Sequence, residues 1–164
     1  MQMTTKKVMF GAGCFWGVQY YFDQVPGVVK TTVGYSGGHT ENPTYEQVCT
    51  HTTGHAEVTL VEYDPDKVSF EVLVKQFFRM HDPTQLNRQG PDIGDSYRSA
   101  IFYFTDDQKV VAERIKTEQQ QNFKQPIVTE ITKAGEFYSA EDHHQKYTEK
   151  TGHGFCHVEY APVS

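Results

Sequence analysis

Apolar residues recur along this chain with two alternating periods, and the switches between them mark out its elements. KVMFGAG, Lys7 to Gly13, is a short apolar run closed by glycines, the pattern of a buried strand; FWGVQYYFDQV then places Phe15, Val18 and Phe22 at helical spacing. GVVKTTVGY puts Val29, Thr31, Val33 and Tyr35 on one face, and AEVTLVEY alternates again, so two strands are expected after the first helix. Asp64-Pro65 ends the second of them. Phe70, Leu73, Val74, Phe77 and Phe78 then form the stripe of an amphipathic helix. SAIFYF predicts a strand, and Thr105 with Gln108 a capping box that opens a helix through about Asn122, with Asp106 and Asp107 at its positive end. IVTEI predicts a last strand, followed by an irregular tail.

The order β-α-β-β-α-β, then α-β, matches an α+β fold of the ferredoxin-like, split βαβ type, with a mixed sheet, helices packed on it and an elaborated C-terminal part. No internal repeat, low-complexity segment or linker interrupts the chain, so residues 1–164 are expected to form a single catalytic domain, with about 150–164 as a mobile tail. Two long segments carry no clear period: Gly34 to Gly54 and His81 to Tyr97. Both are rich in Gly, Pro, Asn, His and Tyr, and loops of this length in a compact domain usually carry function.

Composition narrows the classes of function. With 164 residues the chain is long enough to bury a core without staples. Its three cysteines include no C-x-x-C pair, which argues against both a secreted disulfide framework and a zinc ribbon and suits a reducing, cytoplasmic setting. No apolar run is long enough for a signal peptide or a membrane span. A formal charge of −6 without a basic cluster makes nucleic acid an unsuitable partner.

The candidate chemistry begins at Cys14, which falls in a strand-to-helix turn between glycines and two aromatic rings. A thiol near its usual pKa of about 8.5 is only slightly ionised at neutral pH. A helix N-terminus favours an anion there, and a lowering of about two units, worth about 2.7 kcal/mol, would ionise most of it. Position alone also allows a small buried hydrophobe. Phe15 and Trp16 point about 100° apart on a helix, so one can pack in the core while the other stays beside the thiol. In TGHAE, Glu57 opens a strand; desolvated by aromatic neighbours it would hold a proton, whereas at a solvated strand end it would not. His55-Ala56-Glu57 looks like half of a zinc deaminase signature, but the P-C-x-x-C half is missing. The segment His81 to Phe102 gathers Asp82, Asp92, Asp95, Tyr97 and Arg98 into a polar wall or an anchored surface loop. Tyr20 stands where a C-x5-R phosphate cradle needs arginine.

GCFWG, VGYSGG, NPTYEQVC, TGHAE, HDPTQLNRQG, DSYRSAIF and AEDHHQKY, in this order from about Val8 to Cys156, resemble the peptide methionine sulfoxide reductases of the A type. The resemblance implies a thiol-dependent reduction of methionine-S-sulfoxide, free or in oxidised proteins, without a metal or organic cofactor. It makes Cys14 the nucleophile, Glu57 the proton donor, Tyr45 and Tyr97 the donors to the sulfoxide oxygen, Asp92 an acidic member of the binding site, and Phe15 with Trp16 the seat of the S-methyl group. It also makes Cys156 the resolving thiol, with the Cys14–Cys156 disulfide reduced by thioredoxin or a small dithiol. Two features depart from the pattern: Phe155 stands where tyrosine is common, and no cysteine follows Cys156. Cys49 is left a structural thiol. A zinc site joining Cys49 to His153 and His157 has the donors but no zinc spacing. From other classes, a redox-sensing module that oxidises Cys14 without turnover and a thiol peroxidase remain as alternatives.

Overall fold

In a computed structural model of the chain, which describes residues 4–152, the sheet has six strands in the order β7-β6-β1-β3-β2-β8. Their ranges are β1 Lys6–Ala12, β2 Val28–Ser36, β3 Ala56–Tyr63, β6 Ser99–Tyr103, β7 Glu130–Lys133 and β8 Phe137–Ser139; β4 (Arg88–Gln89) and β5 (Asp92–Ile93) pair apart from it as a small hairpin. Every pairing in the sheet is antiparallel except β6 with β7, so the sheet is mixed and the fold α+β.

Strand alternation divides the interior in two. Val8, Phe10 and Ala12 of β1, Val61 and Tyr63 of β3 and Ile101 of β6 face the helices α1 (Phe15–Asp23), α3 (Phe70–Met80) and α4 (Asp106–Gln119). Met9, Ala56, Val58, Ala100 and Phe102 face the other way, covered in part by Ala134 and Phe137. The predicted stripe of α3 is buried at Leu73, Val74, Phe77 and Phe78, each such side chain contributing about 1.5–3 kcal/mol. Ser69 caps that helix through the Val72 amide.

Departures from the expected elements have local causes. Val29 is 47% exposed rather than sharing a face with Thr31, Val33 and Tyr35, because the register between β2 and β3 shifts between Val28 and Lys30. Thr105 does cap α4, but the Gln108 side chain reaches back one residue further, to the Phe104 amide at 2.8 Å, and the last predicted turn is the 3-10 segment Gln120–Asn122. A complete capping box forms instead between Thr44 and Gln47 and opens α2 (Tyr45–Cys49), a short helix inside a segment without apolar period. The expected strand at Ile127–Ile131 starts later, at Glu130.

The segment after β7 is more ordered than the irregular tail expected from sequence. β8 pairs with β2, and Gln145 extends that edge by accepting from the Val33 amide at 3.0 Å and donating to its carbonyl at 2.8 Å. Lys146 then donates to both carboxylate oxygens of Asp23 at the end of α1. These bonds seat α5 (Tyr147–Thr151), the last helix among the described residues, against α1. Among the described residues no helix is long and apolar enough to cross a membrane.

Candidate active site

The site gathers at one end of the sheet, where β1 and β2 end and β3 and β6 begin. Cys14 is the N-cap residue of α1 and is 7% exposed. The chain reaches it through Gly13 at φ 93°, a left-handed conformation that favours glycine, so the sharp turn from strand to helix is a sequence requirement.

Glu57, the second residue of β3, alternates with Ala56 and Val58 and so shares the helix side with Thr59 and Val61. It is 1% exposed, which removes the solvated strand end as a description of it. Its Oε1 accepts from the Phe15 amide at 3.3 Å. The first helical amide after Cys14 is thus engaged by the carboxyl, and thiol and acid share one helix N-terminus, which the sequence pattern alone assigns to the thiol.

Tyr35 is the register partner of Glu57 on β2, wholly buried, and its hydroxyl donates to Glu141 Oε1 at 3.3 Å. Tyr45 opens α2, where its amide donates to Glu141 Oε2 at 3.4 Å. Tyr97 arrives from the 3-10 turn Asp95–Tyr97 before β6. Burial drives all three phenols far above the ordinary tyrosine range. Glu141 and then Glu57 add to this at Tyr35, and Glu57 followed by Cys49 at both Tyr45 and Tyr97. At neutral pH each therefore keeps its proton and can donate it in a hydrogen bond. Asp92, on β5, raises Tyr97 further, as does Cys14.

Aromatic rings pack around these groups. Phe15 is buried, with its ring centroid 5.7 Å from Tyr35 and 6.2 Å from Tyr45. Trp16 is only half-buried; it stacks on Tyr147 at 4.1 Å and donates its indole N–H to His144 Nδ1 at 3.1 Å. An indole nitrogen only donates, so neutral His144 carries its proton on Nε2. Burial, then neighbouring His143, hold the His144 pKa below its ordinary value.

The structure thus brings together Cys14, Glu57, Phe15, Trp16, Tyr45 and Tyr97, with Asp92 near enough to Tyr97 to act on its phenol. Cys156, with His153 and His157, lies outside the described residues. Cys49 ends α2 among the same groups: its thiol is hydrogen-bonded to Tyr45, and burial chiefly, with Glu57 adding, pushes its pKa up. Among the described residues no cluster of three or more potential ligands could hold a metal ion. Tyr35, Glu141 and His144 had no assigned role in the sequence reading. Their signals were present in VGYSGG and AEDHHQKY, but only the β2–β8 pairing and the Gln145 contacts carry the second string to the first.

A shielded thiol that shares a helix N-terminus with a buried carboxyl, facing phenolic donors and an apolar wall, describes a cysteine-dependent oxidoreductase. The family profile for peptide methionine sulfoxide reductase matches residues 6–164. The chain is 54% identical over 155 residues to the peptide methionine sulfoxide reductase MsrA of Methanothermobacter thermautotrophicus, covering 93% of this chain and 92% of that one. It superposes on the reduced form of Mxr1 from Saccharomyces cerevisiae with a TM-score of 0.90 at 34% identity, covering 95% and 92% of the two chains. A second solved structure, methionine sulfoxide reductase A of Corynebacterium diphtheriae, aligns at a TM-score of 0.84 and 41% identity over 94% of this chain and 79% of that one. Mxr1 has also been solved in complex with Trx2; that chain aligns at a TM-score of 0.64 and 26% identity, covering 90% of this chain and 89% of that one. The chain belongs to the peptide methionine sulfoxide reductase family, and its activity is the reduction of methionine sulfoxide.

Proposed function

We propose that this protein reduces the S epimer of methionine sulfoxide, free or within polypeptides, through Cys14 and Glu57. The observation that carries this reading is the Glu57 carboxyl, buried and bonded to the amide that follows Cys14. Sulfoxide oxygen is a poor leaving group until protonated, and burial disfavours the ionised form of a carboxyl, so an acid enclosed beside the thiol suits the reaction. The Cys14 thiolate attacks the sulfoxide sulfur, Glu57 delivers a proton to the oxygen, and Tyr45 and Tyr97 donate hydrogen bonds to it. Oxygen passes to Cys14, leaving a sulfenic acid and releasing methionine: the substrate sulfur is reduced by two electrons and Cys14 oxidised by two. Phe15 and Trp16 seat the S-methyl group, for which aromatic edges are favourable neighbours, and Asp92 bounds the site.

The sulfenic acid condenses with the Cys156 thiol, giving a disulfide and water, and thioredoxin or a dithiol returns both thiols. The role of Cys156 rests on the resemblance of GHGFC to the family's recycling segment, and that of thioredoxin on the same resemblance and on the Mxr1 complex. No metal or organic cofactor enters these steps. We read residues 1–164 as one catalytic domain built on a split βαβ core, supported by the order β6-β1-β3-β2 with antiparallel neighbours. The cytoplasm suits its odd count of three cysteines without a C-x-x-C pair.

The test is an assay of both sulfoxide epimers with a dithiol reductant. Reduction of the S form alone, abolished by Cys14→Ser, is expected; equal rates on both epimers, or activity that survives the substitution, would refute the assignment.

A further inference from the structure

The two phenols assigned to the sulfoxide oxygen come from separate parts of the chain: Tyr45 opens α2, and Tyr97 ends the 3-10 turn before β6. His51 joins them. It follows the C-cap of α2, and its amide donates to the carbonyl of wholly buried Val48 at 3.0 Å, so it is fixed to the helix that Tyr45 begins. Its side chain lies on the turn that Tyr97 ends. Nδ1 is 3.2 Å from Oγ of buried Ser96 and 3.7 Å from Asp95 Oδ1, and the ring meets that of Tyr97 edge to face with centroids 6.0 Å apart.

The backbone on both sides of this contact is shaped around it. His51 has φ 61°, a left-handed conformation that a residue with a Cβ keeps where its surroundings impose it. Opposite, Gly94 has φ 138°, and a Cβ there would lie 2.2 Å from His51 Cε1, so the imidazole fills the space that a side chain would need. The turn is anchored from the other side as well. The Tyr97 amide donates to the Gly94 carbonyl at 3.1 Å, and Arg98, paired with Glu130 of β7, donates through Nη1 to the Asp95 carbonyl at 2.9 Å. Arg98 thus ties the turn to the sheet, and His51 ties it to α2.

This matters because of what surrounds the Tyr97 phenol. It is close enough to Glu57, Cys49 and Cys14 to feel each of them, so a small shift of the turn changes its place among the reacting groups. A fixed donor is effective only when it is aimed where charge develops. We infer that His51 is a positioning residue for sulfoxide reduction: it clamps the turn Asp95–Tyr97 onto α2 and so sets the Tyr97 hydroxyl relative to Tyr45. The inference rests on the donor roles proposed above for these two tyrosines.

The experiment is a double-mutant cycle between His51→Gly and Tyr97→Phe, read by the single-turnover rate of methionine formation from methionine-S-sulfoxide. Glycine takes the left-handed conformation freely, so His51→Gly is expected to fold. It should lower the saturated rate by about tenfold and leave the half-saturating concentration unchanged, because a transition-state donor is displaced. In the Tyr97→Phe background the same substitution should change the rate by less than about twofold, since a side chain that acts through the phenol has nothing left to position. A merely structural role would slow both backgrounds equally. That result, or a parent rate in His51→Gly, would overturn the inference. His51→Asn, in which the side chain tolerates the left-handed backbone but presents no ring, repeats the cycle and should give the same outcome; additive effects there count equally against it. If Tyr97→Phe alone keeps the parent rate, the donor role itself is refuted, whereas a slow Tyr97→Phe with additive effects refutes the positioning role alone.

Discussion

Glu57 gives the sharpest test, because glutamine can keep its structural contact while losing its proton. The Phe15 amide donates to Oε1 at 3.3 Å, a bond that a glutamine carbonyl oxygen can accept at the same place. Glu57→Gln should therefore fold with a Tm close to the parent's. Glu57→Ala removes the acceptor from a buried amide, a loss of about 1–3 kcal/mol. For a chain of this size each kcal/mol lowers Tm by about 2–4 °C, so the alanine variant should melt roughly 2–12 °C lower. Catalysis separates the two roles. General acid help is worth about 10²- to 10⁴-fold, equivalent to about 3–5.5 kcal/mol of barrier. Methionine formed in a single turnover, with enzyme in excess and quenched in time, reads this step without interference from disulfide recycling. Glu57→Gln should slow it at least a hundredfold with an unchanged melting curve. A loss below tenfold would refute the proton-donor role, and an equal loss of stability in both variants would show that glutamine does not keep the contact.

Other expectations follow from the same geometry. Tyr45→Phe and Tyr97→Phe each remove one donor held protonated by burial, and each should lower the single-turnover rate by about tenfold to a hundredfold with little change in KM; a rise in KM alone would make them ground-state binding groups. Cys156→Ser should release one methionine per enzyme and then stall with thioredoxin as reductant; sustained cycling would pass the resolving role to Cys49, the thiol beside Tyr45. His144 has its pKa lowered by burial first and His143 second, so the unfolded chain takes up a proton at a pH where the folded one does not. Stability from this group is therefore complete above about pH 6.5 and falls as pH drops below it toward the folded value. Melting temperatures from pH 7.5 to 5 should decline less in His144→Gln than in the parent, and identical slopes would count against it.

Much of this arrangement was legible in the sequence, for physical reasons particular to certain residues. The α3 stripe and the glycine-closed first strand carry strong periods because each buries one continuous face, and they appear where expected. Gly13 before Cys14 announces a turn that needs a left-handed residue. Tertiary structure decided what no local period encodes. Glu57 is identical in sequence whether its strand end is wet or dry; antiparallel pairing with β2 lays Tyr35 beside it, and α1 sets an amide against it. Trp16 and Phe15 are adjacent aromatics, and the 100° turn between them becomes a division of labour only because Tyr147 and His144 come from the far end of the chain to cover the indole. That return depends on Gln145 pairing with the Val33 backbone, a contact across 112 residues with no trace in the hydrophobic pattern. The sequence by itself determined which chemical groups this protein owns and most of the elements that hold them; burial and strand register, which depend on the whole chain, decided which of those groups meet and in what protonation state.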